Sequence, residues 1–272
     1  MTRNLRQPYG IARTPQGDVI VTDYENHQVI RFSSQGIYKN HFGGFGNAPG
    51  FFNYPVNVQV DRQGFIYVAD EKNTRIQKFT GEGKFLLSFG DHESDGQRLG
   101  PIFSLSIDPE NRVWVADPSH NRIQIYSSKG EQLRSLEGGE NPGQDLCEPA
   151  SIDCLENGDY LIGDKSPYLL KLFGADGKLI RGIKKEGLGF GEIYFIASHP
   201  DHGVFATDYW SNRILHLSAQ LDVISIFKHP GQRAGQFGKV GGLAILDDQL
   251  IVADFENFRV QVLECPTLKS GS

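Results

Sequence analysis

The chain has 272 residues, 39% of them hydrophobic, and a net charge of −6, enough to bury a large core in one or two domains. No apolar stretch approaches the roughly 20 residues of a membrane-spanning helix, and the acidic balance argues against nonspecific attachment to nucleic acid. Three cysteines (Cys147, Cys154, Cys265) fit neither a disulfide framework nor zinc spacing, and 32 glycines beside one methionine point to turn-rich β-structure.

Met1-Thr2-Arg3 leads straight into polar residues rather than an apolar signal segment, so a cytoplasmic, reducing setting is expected. Along the chain one sentence is then spoken six times: "VIVTDYENHQVIRF", "IYVADEKNTRIQKF", "VWVADPSHNRIQIY", "YLIGDKSPYLLKLF", "VFATDYWSNRILHL" and "LIVADFENFRVQVL". Its aspartates, Asp23, Asp70, Asp117, Asp164, Asp208 and Asp254, follow one another at steps of 47, 47, 47, 44 and 46 residues. An apolar or alternating run precedes each aspartate, and another begins six residues after it. Tight turns such as "TPQGD" and "DRQGF" lie upstream, and segments such as "GKFLLSFG" lie downstream. Each unit therefore reads as four short antiparallel strands, a to d, with no helical periodicity.

Six such units predict an all-β fold, a six-bladed β-propeller of four-stranded antiparallel blades, because a lone blade cannot bury both of its faces. Residues 1–266 are expected to form one domain centred on the six aspartates, with 267–272 as a C-terminal tail. The sixth unit has no evident fourth strand. "TRNLR" (Thr2–Arg6) is the expected supplier, with "PTLKS" (Pro266–Ser270) as the alternative.

The repeated core, best seen in Asp117-Pro118-Ser119-His120-Asn121-Arg122-Ile123-Gln124-Ile125-Tyr126, resembles the NHL-repeat family, as do the linkers "PGFFNYP" and "AGQFGKV". The resemblance runs through all six units. It is weakest in the fourth, where Pro167-Tyr168-Leu169 stands in place of asparagine and arginine. It is similar to the C-terminal domain of TRIM-NHL proteins, which implies a non-catalytic module binding single-stranded RNA or protein. A tripartite-motif context would add substrate recruitment for a ubiquitin ligase, although this chain has no zinc-finger cysteines.

The six aspartates are expected to cap the b–c loops by accepting backbone N–H groups, with an arginine five residues on as partner. One carboxylate per loop, or two at most, is too few for calcium, so no metal and no cofactor are expected. Strand parity puts the b–c loops and the d–a linkers on one side of the disc. That side carries the sequence variety and is the expected binding face.

On this face the loops sum to six basic and nine acidic residues, aromatic and mixed rather than a basic stripe. The expected RNA- or partner-binding residues are Tyr9, Tyr24, Tyr54, Lys72, Arg75, Lys165, Tyr168, Lys184, Lys185, Tyr194, Tyr209 and Trp210. Aromatic rings suit base stacking at about 1–3 kcal/mol each, and suit protein hot spots equally. Lys184-Lys185 is the only adjacent basic pair and is expected to meet phosphate. RNA is favoured over a protein partner by the resemblance, and protein over RNA by the charge. A monomer without a membrane partner is expected. Similar propeller lyases hold zinc with histidines. Of eight histidines only His27 and His120 occupy comparable loop positions, so no catalytic residue is assigned.

Overall fold

A computed structural model of the chain describes residues 5–91, 98–138, 145–186, 189–228 and 230–265. Alternating and β-branched runs form strands as expected, and the intervening Gly, Asn and Asp positions turn the chain. Blade 1 holds β1 (Pro8–Arg13), β2 (Val19–Asp23), β3 (Gln28–Phe32) and β4 (Tyr38–Gly43). Blade 2 holds β5 (Pro55–Val60), β6 (Ile66–Asp70), β7 (Arg75–Phe79) and β8 (Phe85–Phe89). Blade 3 holds β9 (Leu105–Ile107), β10 (Val113–Asp117), β11 (Arg122–Tyr126) and β12 (Gln132–Glu137). Blade 4 holds β13 (Ser151–Cys154), β14 (Tyr160–Gly163), β15 (Tyr168–Phe173) and β16 (Leu179–Lys184). Blade 5 holds β17 (Ile193–His199), β18 (Gly203–Asp208), β19 (Arg213–Leu217) and β20 (Val223–Phe227). Blade 6 holds β21 (Val240–Leu246), β22 (Gln249–Asp254) and β23 (Arg259–Glu264).

Five sheets are four-stranded antiparallel meanders, and the sixth has three strands among the described residues. The first strands contact one another in sequence around the ring, and β21 returns to β1. The chain is therefore an all-β six-bladed propeller with an inner ring of a strands. Except for β23, second and third strands are largely buried on both faces, so their apolar residues fill the clusters between blades, such as Ala12, Ile20, Val29, Val58, Ile66 and Val68 between blades 1 and 2. Among the described residues no helix is long and apolar enough to cross a membrane.

Of the segments expected to close blade 6, only Leu5 and Arg6 are described. Thr2–Asn4 and Pro266–Ser270 lie outside the described residues. Leu5 and Arg6 form linker, not strand. Leu5 is buried against Ile11, Val19 and Val260, and the N–H of Arg6 donates to Asp23 Oδ1 at 2.7 Å. Phe52 and Asn53 do the same ahead of blade 2, where the N–H of Asn53 donates to Asp70 at 2.7 Å. Leu5-Arg6 thus takes the place that Phe52-Asn53 take in the linker leading into the first strand of blade 2. Beside them a groove of about 1010 Å³ opens between blades 1 and 6.

Candidate functional site

Each b strand ends on a fully or almost fully buried aspartate, or in blade 4 is followed directly by one, Asp164. The expected capping partners were the amides of the b–c loop itself, but the recurrent bond is to the linker ahead of strand a. The N–H groups of Arg6, Asn53, Gly100, Cys147, Gly191 and Gly238 donate to Asp23, Asp70, Asp117, Asp164, Asp208 and Asp254, at 2.7 to 3.3 Å. These donors lie 16 or 17 residues upstream, so the aspartate ties the linker to the loop and builds one face from both. Only Ser166 and Ser211 add loop amides, to Asp164 and Asp208. Burial pushes the Asp23 and Asp70 carboxyls up, against the pull of these hydrogen bonds.

The arginines complete the same joint. Arg75, expected to meet phosphate, is 6% exposed, and its Nε bonds Asp70 at 2.9 Å. Its remaining N–H groups donate to the carbonyls of Asn47, Ala48 and Phe51 at 2.8 to 3.1 Å. A guanidinium spent on four acceptors cannot also serve a ligand, so Arg75 leaves the binding set. Arg122 and Arg259 pair in the same way with Asp117 and Asp254. Arg213 pairs with Asp208 and lies 3.9 Å from the ring centre of Phe190.

Six of the expected aromatics prove to be two groups. Tyr9, Tyr24, Tyr54, Tyr194 and Tyr209 converge with Phe103, Phe195 and Phe255 over the b–c end of the inner ring, drawn from five blades. Ring centres lie 4.5 Å apart for Tyr24–Tyr54, 5.5 Å for Tyr9–Tyr24 and Tyr194–Tyr209, and 5.3 Å for Tyr9–Phe195. Tyr9 is buried at its centre, and the other four tyrosines are half-buried. Burial, with nearby carboxylates, raises four of these phenols: Tyr194 is pushed up to about 12, with Glu192 adding to the effect, and Tyr9, Tyr24 and Tyr209 also rise. The five rings are packed plugs of the ring whose rims reach solvent.

Tyr168 belongs elsewhere. It starts β15, covers Gly182 and faces Lys184 across the sheet. Lys184 closes β16, the outermost strand of blade 4, and Lys185 follows it, whereas Tyr194 lies on the innermost strand of blade 5. The basic pair is therefore peripheral, not beside Tyr194.

The remaining lysines are engaged with acids. Lys72 pairs with Glu71 at 2.6 Å, and Lys165 with Glu148 at 2.7 Å and Glu192 at 3.5 Å. Lys239, missed by sequence reasoning, sits 3.7 Å from Glu256 and within 5.3 and 5.7 Å of the Tyr209 and Trp210 rings.

Beside these paired charges the face exposes large apolar side chains. Trp210 is 61% exposed, Phe258 50%, Phe45 71% and Phe51 46%. Phe51 was read only as linker, and Phe45 was not singled out. The signal was "GGFGNAPGFF", where phenylalanines alternate with glycines that cannot cover them. Phe45 leans on His27, whose Nδ1 accepts the N–H of Tyr54 at 3.1 Å. Tyr54 and Phe258 hold left-handed backbone, φ +62° and +54°, a strained state for bulky residues that fixes where their rings point.

His27 and His120 are one position out of register, four and three residues after their aspartates, and His120 Nδ1 is bonded to Asp117. His92 and His229 lie outside the described residues. Among those described, no three His, Cys, Asp or Glu side chains gather at metal-binding distance.

The NHL repeat model matches residues 5–32, 52–79 and 237–263. No curated protein sequence matches the chain. Among solved structures, the fold is similar to selenomethionine-substituted virginiamycin B lyase from Staphylococcus aureus, at 14% identity and a TM-score of 0.64 over 97% of this chain and 86% of that one. A streptogramin B lyase matches at 14% identity and 0.66, over 98% and 86%. Hydrazine synthase of Kuenenia stuttgartiensis matches at 11% and 0.68, over 97% of both chains. At these identities the likeness is one of fold alone.

Proposed function

We propose that this six-bladed propeller, in which three stretches match the NHL repeat, is a non-catalytic binding module whose b–c face recognises a segment of another protein. The observation that carries this reading is the pairing of exposed aromatics with spent charges. Trp210, Phe258, Phe45 and Phe51 stand out of the face, while Lys72, Lys165 and the loop arginines already have anionic or carbonyl partners. A phosphate backbone would have to break those pairs, whereas an apolar side chain would not. Desolvating clustered aromatics is also the usual source of interface affinity. In a TRIM-NHL setting such a face would recruit substrate or a partner protein.

The chain carries its own reporter. It has two tryptophans, and Trp114 is buried with its indole N–H on Asp108 at 2.7 Å, so ligand-induced emission changes report on Trp210. Peptides selected from a randomised display library are expected to blue-shift that emission. Their affinity should fall at least about tenfold in Trp210→Ala or Phe258→Ala, and change little between 50 and 300 mM salt. A single-stranded RNA pool titrated by anisotropy is the opposing arm. Peptide selection that fails, beside RNA binding that weakens with salt and with Lys72→Ala, would replace the protein reading by the RNA one.

A further inference from the structure

The two ends of the inner ring differ. Aromatic rings plug the b–c end. At the opposite end the last residues of β5, β9, β13 and β17 surround a groove of about 450 Å³ that runs out between blades 4 and 5. Ile107, Leu155, Leu161, Leu172 and Val204 give it an apolar side, Gln59, Ser106, Asn157 and Ser198 a polar one, and Ala219 lines it from the β19–β20 turn.

The acid of the groove is Asp153. Its position in β13 corresponds to Ala12, Gln59 and Ser106 in the first three blades, each opposite the residue three before the repeat aspartate. Ser106 uses the position structurally: its Oγ accepts the N–H of Cys154 on the next blade at 3.0 Å. Asp153 engages the next blade through Ser198, but its Oδ2 is buried without a hydrogen-bond partner. A buried carboxyl oxygen left unpaired is costly to the fold. A structural bridge needs no such oxygen, as Ser106 demonstrates.

We propose that this groove is a binding site for a small organic ammonium ion, a primary amine with a short apolar tail, held with Asp153 as its counter-ion. An ammonium in the groove supplies the counter-charge that Asp153 lacks, and the leucine and valine side chains take the tail. The other charged groups around Asp153 are already committed or neutral. Burial keeps the neighbouring Cys154 thiol protonated, Glu156 pairs with Arg62, and Asp108 is held by Arg112 and by Trp114. His199, on β17, receives the N–H of Asp201 on Nδ1. Burial raises the Asp153 carboxyl to about 7 in the free protein, so amine binding is coupled to its ionisation and strengthens as pH rises.

Calorimetry of the whole chain with n-butylammonium, and with n-butanol as the uncharged control, tests the site. Binding is expected at pH 8 and should be about 30-fold weaker at pH 5.5, the ratio of ionised carboxylate for a group titrating near 7. It should disappear in Asp153→Asn, which keeps the shape and the Ser198 contact, and in Ala219→Trp, which fills the groove without touching the acid. Butanol should not bind. Equal binding of amine and alcohol, or an unchanged amine affinity in folded Asp153→Asn, would overturn the proposal.

Discussion

Blade 4 shows at single-residue scale how the repeated joint tolerates change. Where the other blades have arginine or glutamine five residues after the aspartate, it has Leu169, which is fully buried. The charge has moved two residues along the same strand, and so onto the same face. Lys171, where blades 2, 3 and 6 carry Gln77, Gln124 and Gln261, reaches Asp164 at 2.7 Å and the carbonyl of Asp145 at 2.6 Å. Both side chains of the pair are completely buried. Removing one member of such a pair strands a charge, at about 3–5 kcal/mol. Lys171→Met is therefore expected to lower the urea-unfolding free energy by that amount. Leu169→Arg combined with Lys171→Gln, which rebuilds the joint of blades 2 and 3, should return it to within about 1 kcal/mol of the parent. The missing asparagine and arginine of blade 4 were visible in the sequence. The compensation was not, because it depends on which face of β15 meets the linker.

At the scale of the strand, position was legible and partnership was not. Alternation, turn residues and the step between aspartates placed the strands, and strand parity placed the loops and linkers on one face. The aspartate's partner was misassigned because it lies 16 or 17 residues away, beyond any local pattern. Arg75 was misread for the same reason, since the three carbonyls it serves belong to the preceding linker, 24 to 28 residues upstream. The inner strands carry a constraint of their own. A Cβ on Gly10 would lie 2.7 Å from the carbonyl oxygen of Val56 and 2.8 Å from the Asn57 Cα, and one on Gly242 would lie 2.8 Å from the carbonyl oxygen of Tyr9. Backbone cannot yield there as a side-chain tip can, so glycine sets how closely blades 6, 1 and 2 meet. Gly10→Ala is expected to cost about 1–3 kcal/mol by overpacking, read as a lowered thermal midpoint. Gly64→Ala, with open space around its Cβ but a φ of +87°, serves as the comparison for backbone strain without a clash.

For the molecule as a whole, the inner ring is closed, while among the described residues the outer ring lacks one strand. Strand β21 packs on β1 as the other inner strands pack on their neighbours, so closure at the axis does not require a fourth strand in blade 6. At the rim, the five other third strands are covered by β4, β8, β12, β16 and β20, whereas β23 has no outer neighbour among the described residues. Its side chains register this: Val262 is 42% exposed, while the corresponding Arg31, Lys78, Ile125 and Leu172 lie under a fourth strand. An antiparallel strand with one free edge leaves alternate N–H groups to water. Native-state hydrogen exchange should therefore split β23 in two. Alternate amides from Arg259 to Glu264 are expected to exchange within minutes, and those bonded to β22 should persist with the rest of the core. Amides of β3, β7, β11, β15 and β19 should be protected without this alternation. Uniform protection along β23 would mean that a fourth strand from outside the described residues covers its edge. The expectation that "TRNLR" or "PTLKS" completes the blade would then regain its footing, with Leu5 and Arg6 still held as linker by their contacts to Val260 and Asp23.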